Sequence, residues 1–213
     1  MERLLEGKVA IVTGGGRGIG ADICRVLSEN GCRVVVNYSR AEAEAMGVAS
    51  ETGGIAVRAD VRAQGQVQEM VDRTLKEFGK IDGVVNNAIG GRQHGLLEEM
   101  FDQDYQDMFE FSTKAVLNTV RAVRPTMREN GGGRIVNVVT ELWNLAPGGW
   151  SVYLSGKGAM VGISRSLANE LGPEGITVNM VAPGWMVTET VDASSEVSRK
   201  FGESLPLRHH GSA

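Results

Sequence analysis

The residues best suited to proton chemistry in this chain are Tyr153 and Lys157. They stand four apart in a stretch from about Val152 to Leu171 that has helical spacing and closes at Gly172-Pro173. Both side chains therefore face the same side, one turn from each other. A phenol is a poor acid at neutral pH. A neighbouring ammonium favours the phenolate and so eases proton release to a forming alkoxide. The Y-x-x-x-K spacing is common by itself; here it follows a strand-like run ending in a hydroxyl residue, Thr140, and precedes Pro183-Gly184. A second cluster is made of backbone. The apolar run Val9–Thr13 leads straight into Thr13-Gly14-Gly15-Gly16-Arg17-Gly18-Ile19-Gly20, and helical spacing begins at once. Glycines let the chain pass under a pyrophosphate, and a helix N-terminus offers unpaired N–H groups and the positive end of a dipole. The spacing T-G-x-x-x-G-x-G is not G-x-G-x-x-G. It is not a P-loop either, which a Gly-Lys-Ser/Thr would close.

Both clusters need a scaffold that holds them together. Strand-length apolar runs recur at Val9–Thr13, Arg33–Asn37, Ile55–Ala59, Gly83–Asn86, Arg134–Val139 and Thr177–Val181. They are rich in Val and Ile and continuous rather than alternating, as strands buried on both faces should be. Between them, Ile19, Ile23, Val26 and Leu27 fit one helical face and stop at Gly31, while Val67, Met70, Val71, Leu75 and Phe78 fit another and stop at Gly79. A longer helix is predicted from about Asp104 to Asn130. This alternation predicts an α/β, Rossmann-type, doubly wound parallel sheet of six strands with right-handed crossovers, in a single domain over residues 1–213. The 29 glycines are neither periodic nor gathered into linkers but punctuate the ends of apolar runs, as tight turns and close approach to a ligand require. From Pro183 to Ala213 the chain reads as loop with at most one short helix, so the domain is expected to be C-terminally short.

A net charge of −4 without any Lys/Arg block argues against nucleic-acid and anionic-membrane partners. The longest apolar runs are strand-sized, against the roughly 20 residues that span a bilayer. Met1 to Lys8 carries two Glu and no apolar stretch, so no signal peptide is read there. Cys24 and Cys32 form no CxxC, and His94, His209 and His210 make no ligand set with them. Reduced, packed thiols in a cytoplasmic protein, and no metal, are the expectation.

In order along the chain, the glycine turn, Asp60-Val61, Asn86-Asn87-Ala88, Tyr153-x-x-x-Lys157, and Pro183-Gly184 leading to Thr188 resemble the short-chain dehydrogenase/reductase family. The pattern is most similar to its 3-oxoacyl-[acyl-carrier-protein] reductases and runs from Gly7 to about Gly211. The resemblance implies reduction of a ketone or an acyl-carrier 3-oxoacyl thioester to the hydroxy compound. Tyr153 would give the proton, and Lys157 would also hold the nicotinamide ribose. It places the nicotinamide cofactor against Thr13, Gly14, Gly16, Arg17, Gly18, Ile19, Gly20, Asn37, Ser39, Arg40, Asn87, Ala88, Tyr153, Lys157, Pro183, Gly184 and Thr188. Asp60 would accept a hydrogen bond from the adenine amine, and Val61 would pack on the ring. It also implies a homo-oligomer, dimer or tetramer, with the helices near Asp104–Asn130 and Val152–Leu171 at one interface. The family's last helix and seventh strand lie beyond the segment matching Leu205 to Ala213, which points to a truncated reductase or to a partner covering the gap.

Cofactor choice follows from charge. NAD enzymes of this fold place an acid after the second strand to grip the ribose. Here the strand is followed by Tyr38-Ser39-Arg40, with no acid before Glu42. Arg17 and Arg40 suit a 2′-phosphate, so NADPH is expected. Three positions depart from the family. Thr140 stands where it has a catalytic serine, keeping the hydroxyl but stiffening χ1. Ser112 stands where an Asn serves a proton relay. Ile89 replaces a glycine and would be costly if that position needs φ > 0. A weakly active or non-catalytic nucleotide-binding subunit, paired with an active homologue, is therefore the alternative to an active reductase. Trp143, Trp150 and Trp185 fall on loops that by resemblance border the substrate cleft. They are either structural core or the wall of a pocket for an aromatic or extended apolar substrate. Glu141 is either a surface carboxylate or a polar substrate contact.

Overall fold

A computed structural model describes residues 3–91, 93–189 and 194–212. Valine and isoleucine dominate the strands because the inner ones bury both faces; the edge strand Ile176–Val181 departs from that expectation, with Ile176 and Val178 buried and Thr177 and Asn179 exposed. The elements run β1 (Val9–Val12), α1 (Gly18–Glu29), β2 (Arg33–Tyr38), α2 (Glu42–Thr52), β3 (Ile55–Arg58), α3 (Gln64–Phe78), β4 (Gly83–Asn86), α4 (Asp102–Phe109), α5 (Ala115–Glu129), β5 (Gly133–Val138), α6 (Leu142–Leu145), α7 (Ser151–Leu171), β6 (Ile176–Val181), β7 (Met186–Val187), α8 (Glu196–Ser204) and β8 (Gly211–Ser212). Six strands pair in parallel in the order β3-β2-β1-β4-β5-β6. This is the expected doubly wound, Rossmann-type sheet, and the family's seventh strand is not part of it. The order reverses between β1 and β4, which opens a crevice at their C-terminal ends, the usual ligand position in such sheets.

The core divides across the sheet. On one face Val12, Val34 and Val36 pack with Ala21 and Cys24 of α1 and Ala45, Val48 and Ala49 of α2. On the other, Ile11, Val35 and Ile135 meet Met70 of α3, Val116, Val120 and Met127 of α5, and Met160 and Leu167 of α7. Cys24 and Cys32 are free and buried, as packed thiols should be.

Several expectations change in detail. The helix α2 was not anticipated: its inward residues are mainly alanine, so the sequence shows no apolar stripe. The long helix expected from about Asp104 to Asn130 begins at Asp102 and is interrupted by a π-helical turn over Glu110–Lys114. Past β6 the short helix is present as α8. The expected plain loop also carries β7 and β8, which pair in parallel apart from the main sheet (Met186↔Gly211 and Val187↔Ser212). As an edge strand β6 leaves Met180 and Val181 partly exposed. No helix among the described residues is long and apolar enough to cross a membrane.

Candidate active site

The glycine turn is tied down by its neighbours before any ligand arrives. Thr13 Oγ1 accepts the N–H groups of Asn87 (2.9 Å) and Ala88 (3.0 Å) and donates to the Val85 carbonyl at 3.2 Å. Asn87 Nδ2 returns the contact to the carbonyls of Thr13 (3.0 Å) and Gly14 (3.2 Å). Asn37 Oδ1 accepts from Gly14 N, while its Nδ2 donates to the carbonyls of Val57 and Ala59. The ends of β1, β2, β3 and β4 are thus laced into one rim. Gly14 has φ +63°, and a Cβ at Gly20 would overlap the Gly14 carbonyl, so two of the expected glycines are required by the turn itself.

At the start of α1 the Gly18 N–H donates to the Glu189 carboxylate. That bond is the main cause holding the Glu189 carboxyl below its ordinary value. The helix end therefore accepts an anion, the charge type a dinucleotide's pyrophosphate presents. The chain has residues that fit such a group. Thr188 also reaches this turn, lying 4.0 Å from where a Gly18 Cβ would stand. The Pro183 carbonyl accepts Glu141 N (3.0 Å), and Glu141 Oε2 lies 3.0 Å from where a Gly184 Cβ would stand, which joins the loops after β5 and β6.

The far end of the crevice opens into a cavity of about 490 Å³ lined by residues that include Ser39, Arg40, Arg58, Asp60, Arg62 and Phe111. Arg40 is one of these lining residues. Arg17 is not among the lining residues; it is exposed at the N-cap of α1. Arg58 also lines the cavity, because β3 pairs Arg58 with Tyr38 and brings it beside the end of β2. Among the described residues neither Arg40 nor Arg58 is ion-paired. Asp60 is committed to Arg62: Nε reaches Oδ1 at 3.0 Å and Oδ2 at 3.2 Å, and Nη2 reaches Oδ2 at 2.7 Å. Arg62 is the main cause of the lowered Asp60 pKa. Val61 is buried beside it, and its carbonyl accepts Asn118 Nδ2 at 2.9 Å.

The proton-transfer residues meet at the start of α7. Lys157 is buried and its Nζ donates to the Val138 carbonyl at 2.6 Å. Burial lowers its pKa to about 8. The ammonium lies 5.8 Å from the centre of the Tyr153 ring. Burial raises the Tyr153 pKa, and a side-chain hydrogen bond with Thr140 opposes that rise. Thr140 Oγ1 also accepts the Leu142 N–H (3.1 Å), which fixes the hydroxyl at the loop after β5. Ser112 is buried in the π-helical turn, and its hydroxyl donates to the Met108 carbonyl at 2.7 Å. It stands 3.0 Å from a Cβ placed on Gly156, beside Lys157. The cost expected at Ile89 does not arise. Among the described non-glycine residues only Ala146 and Arg208 have positive φ.

The tryptophans do not share one wall, and none is core. Trp150 meets Tyr153 edge-on at 5.7 Å and His94 at 5.0 Å. Trp143, 55% exposed, lies over Gly158 on α7. Trp185 packs instead with Phe201 and His210, near the C-terminal end. Sequence reasoning missed Arg58, Arg62, His94 and Glu189. The only advance signals for Arg62 and Glu189 were their places beside Val61 and Thr188.

Comparison with known proteins agrees with this geometry. The family model described as short chain dehydrogenase matches residues 8–198. The 3-oxoacyl-[acyl-carrier-protein] reductase FabG of Staphylococcus epidermidis is 34% identical over 210 residues, covering 96% of this chain and 86% of the relative. An uncharacterized oxidoreductase of Methylorubrum extorquens is 38% identical over 216 residues, covering 97% and 86%. Among solved structures, a dehydrogenase/reductase from Sinorhizobium meliloti superposes with a TM-score of 0.91 at 32% identity, covering 99% of this chain and 85% of that one. A short chain dehydrogenase from Burkholderia cenocepacia in complex with NADP gives 0.90 at 33% identity, covering 98% and 86%. With that match running through the laced glycine rim and through Tyr153 and Lys157, the chain belongs to the short chain dehydrogenase family of nicotinamide-dependent oxidoreductases.

Proposed function

We propose that this chain is an NADPH-dependent reductase that converts a ketone or 3-oxoacyl thioester to the hydroxy compound. The observation that carries this reading is the buried Lys157 ammonium, fixed on the Val138 carbonyl and 5.8 Å from the centre of the Tyr153 ring. When bound, the nicotinamide supplies the hydride. Thr140 and Tyr153 orient the carbonyl oxygen between two hydroxyls, and Tyr153 gives it a proton. Lys157, fixed by the Val138 carbonyl, makes loss of that proton easier. The glycine rim and the N-terminus of α1 would hold the pyrophosphate, with Pro183, Gly184 and Thr188 closing over it.

Preference for the phosphorylated cofactor is supported by Arg40 and Arg58, neither ion-paired among the described residues. It is also supported by Glu42, whose Oε1 accepts the Tyr38 hydroxyl at 3.0 Å. The NADP in the Burkholderia cenocepacia relative accords with this. NADPH should bind more tightly than NADH, and Arg40→Asp should erase or reverse the difference. Equal calorimetric affinities in the parent chain would overturn that assignment. Consumption of NADPH against a panel of ketones and 3-oxoacyl thioesters tests the reaction.

One observation favours a second reading. The Ser112 hydroxyl is spent on Met108, so this position offers no free side-chain donor for a proton relay. A weakly active or non-catalytic subunit paired with an active homologue would bind NADPH yet reduce every substrate in that panel slowly or not at all. For the reductase reading a homo-oligomer, with α5 and α7 at one contact, is the assembly we carry forward from the resemblance, and light scattering reads it directly.

A further inference from the structure

We infer that His210 is a positioning residue of the cofactor site: it clamps the Trp185 carbonyl to α8 and so holds the stretch 183–189 in the path that receives the nicotinamide half of the cofactor. The inference rests on the cofactor reading above and concerns a residue to which that reading gives no part.

The stretch 183–189 is secured at both ends. The Pro183 carbonyl accepts Glu141 N at 3.0 Å, and the Glu189 carboxylate accepts the Gly18 N–H. Between these points its backbone pairs with β8 over two residues, Met186↔Gly211 and Val187↔Ser212. An isolated pair of strands is marginal in water even when longer than that. His210, directly before β8, supplies the further hold. Its Nδ1 donates to the Trp185 carbonyl at 3.0 Å, while its Nε2 lies 2.9 Å from the Ser198 hydroxyl and 2.7 Å from the Ser198 carbonyl. A neutral ring accepts the hydroxyl's hydrogen at Nε2, and a charged ring donates from Nε2 to the carbonyl. In either state one imidazole ties Trp185 to α8. The anchor itself is firm: Ser198 is fully buried, and its N–H is held at 3.2 Å by Ser195 Oγ, the cap of α8. The ring also stacks on Phe201, with centroids 5.7 Å apart and 26° between planes, and meets Trp185 edge-on at 5.4 Å. Two residues upstream Arg208 takes φ 60°, a conformation that a side-chain-bearing residue keeps only where its surroundings hold it there. Trp185 stands between Gly184 and Met186, in the middle of the wall that Pro183, Gly184 and Thr188 form in the cofactor reading. Fixing its carbonyl fixes their path before a ligand arrives, and a preformed wall spares the ligand the cost of ordering it.

Calorimetry tests this on the full chain carrying Glu189→Gln, which takes the internal carboxylate's charge off the Gly18 N–H. The probes are NADPH, reduced nicotinamide mononucleotide and adenosine 2′,5′-bisphosphate. Adding His210→Ala should weaken NADPH and the mononucleotide by about 3- to 30-fold, the scale of one or two lost hydrogen bonds. The bisphosphate, which has no nicotinamide half, should bind as before. His210→Phe keeps a ring to stack on Phe201 but has no nitrogens, and should behave like His210→Ala. His210→Gln carries a donor and an acceptor on one amide and should recover much of the affinity. In the ligand-free chain, hydrogen exchange across β7 should be faster with His210→Ala and His210→Phe than with His210 intact. The inference is overturned if either of those two substitutions leaves mononucleotide binding unchanged, since the wall then stands without the ring nitrogens. It is equally overturned if His210→Ala weakens all three probes alike, the mark of a general loss of structure. Failure of the cofactor reading looks different: the chain with His210 intact binds neither NADPH nor the mononucleotide, which overturns the role in cofactor binding while faster exchange across β7 still reports the clamp.

Discussion

Burial leaves a clear electrostatic mark on Lys157. Desolvation disfavours its charged form and brings its pKa to about 8, while the Val138 carbonyl holds the nitrogen in place. The sign matters for the reaction. Below about 8 the ammonium is present and helps the proton leave Tyr153; above it that help is lost. The rate of carbonyl reduction should therefore fall as pH rises through about 8, and a kcat profile flat to the ordinary lysine range would contradict it. Thr140 is the second test at this scale. Thr140→Ala should lower kcat on the order of 10²-fold, as loss of a positioned donor to a developing oxyanion does, whereas Thr140→Ser should retain activity. A parent-like alanine variant would remove Thr140 from the reaction. Tyr153 and Lys157 could be found in the sequence because i, i+4 spacing on a helix fixes their relation without tertiary information. Arg62 and Glu189 could not, since their partners are chosen by how the loops fold back.

At the scale of elements, a buried polar ladder sets the sheet's register beside the site. Thr119 Oγ1 donates to Asn86 Oδ1 (2.7 Å), Asn86 Nδ2 donates to Asn137 Oδ1 (2.8 Å), and Asn137 Nδ2 donates to Ser164 Oγ (2.7 Å). The ladder joins α5, β4, β5 and α7, the elements that deliver Asn87, Val138 and Lys157. Removing its centre strands donors and acceptors in a dry core. Asn137→Ala should therefore destabilise the fold by about 2 kcal/mol or more, read as a lower denaturant midpoint with an unchanged slope. An unchanged midpoint would mean the ladder contributes nothing. All six sheet strands were legible as runs rich in Val and Ile, because strands inside a doubly wound sheet bury most of both faces, and the few buried polar residues on them, such as Asn86 and Asn137, are paired with one another. Helix α2 was hidden because alanines pack as closely as its neighbours need while giving no apolar stripe. The π-helical turn before α5 was hidden too, since one extra residue per turn leaves no mark in periodicity.

For the molecule as a whole, the crevice between the glycine turn and the loops after β6 is where the free and occupied proteins must differ. The carboxylate of Glu189 on the Gly18 N–H makes the chain its own competitor for that spot. A ligand that needs the same donor binds only the fraction of molecules in which the glutamate has swung away, and its apparent affinity is reduced by that fraction. Glu189→Gln weakens the internal occupant by removing its charge and leaves the donor untouched. It should lower the NADPH dissociation constant several-fold while leaving binding of reduced nicotinamide mononucleotide less affected. In stopped-flow mixing, the parent's observed binding rate should level off as NADPH is raised, because departure of the carboxylate then sets the pace. A linear dependence in the parent, matched by the glutamine variant, would show that the crevice stands open.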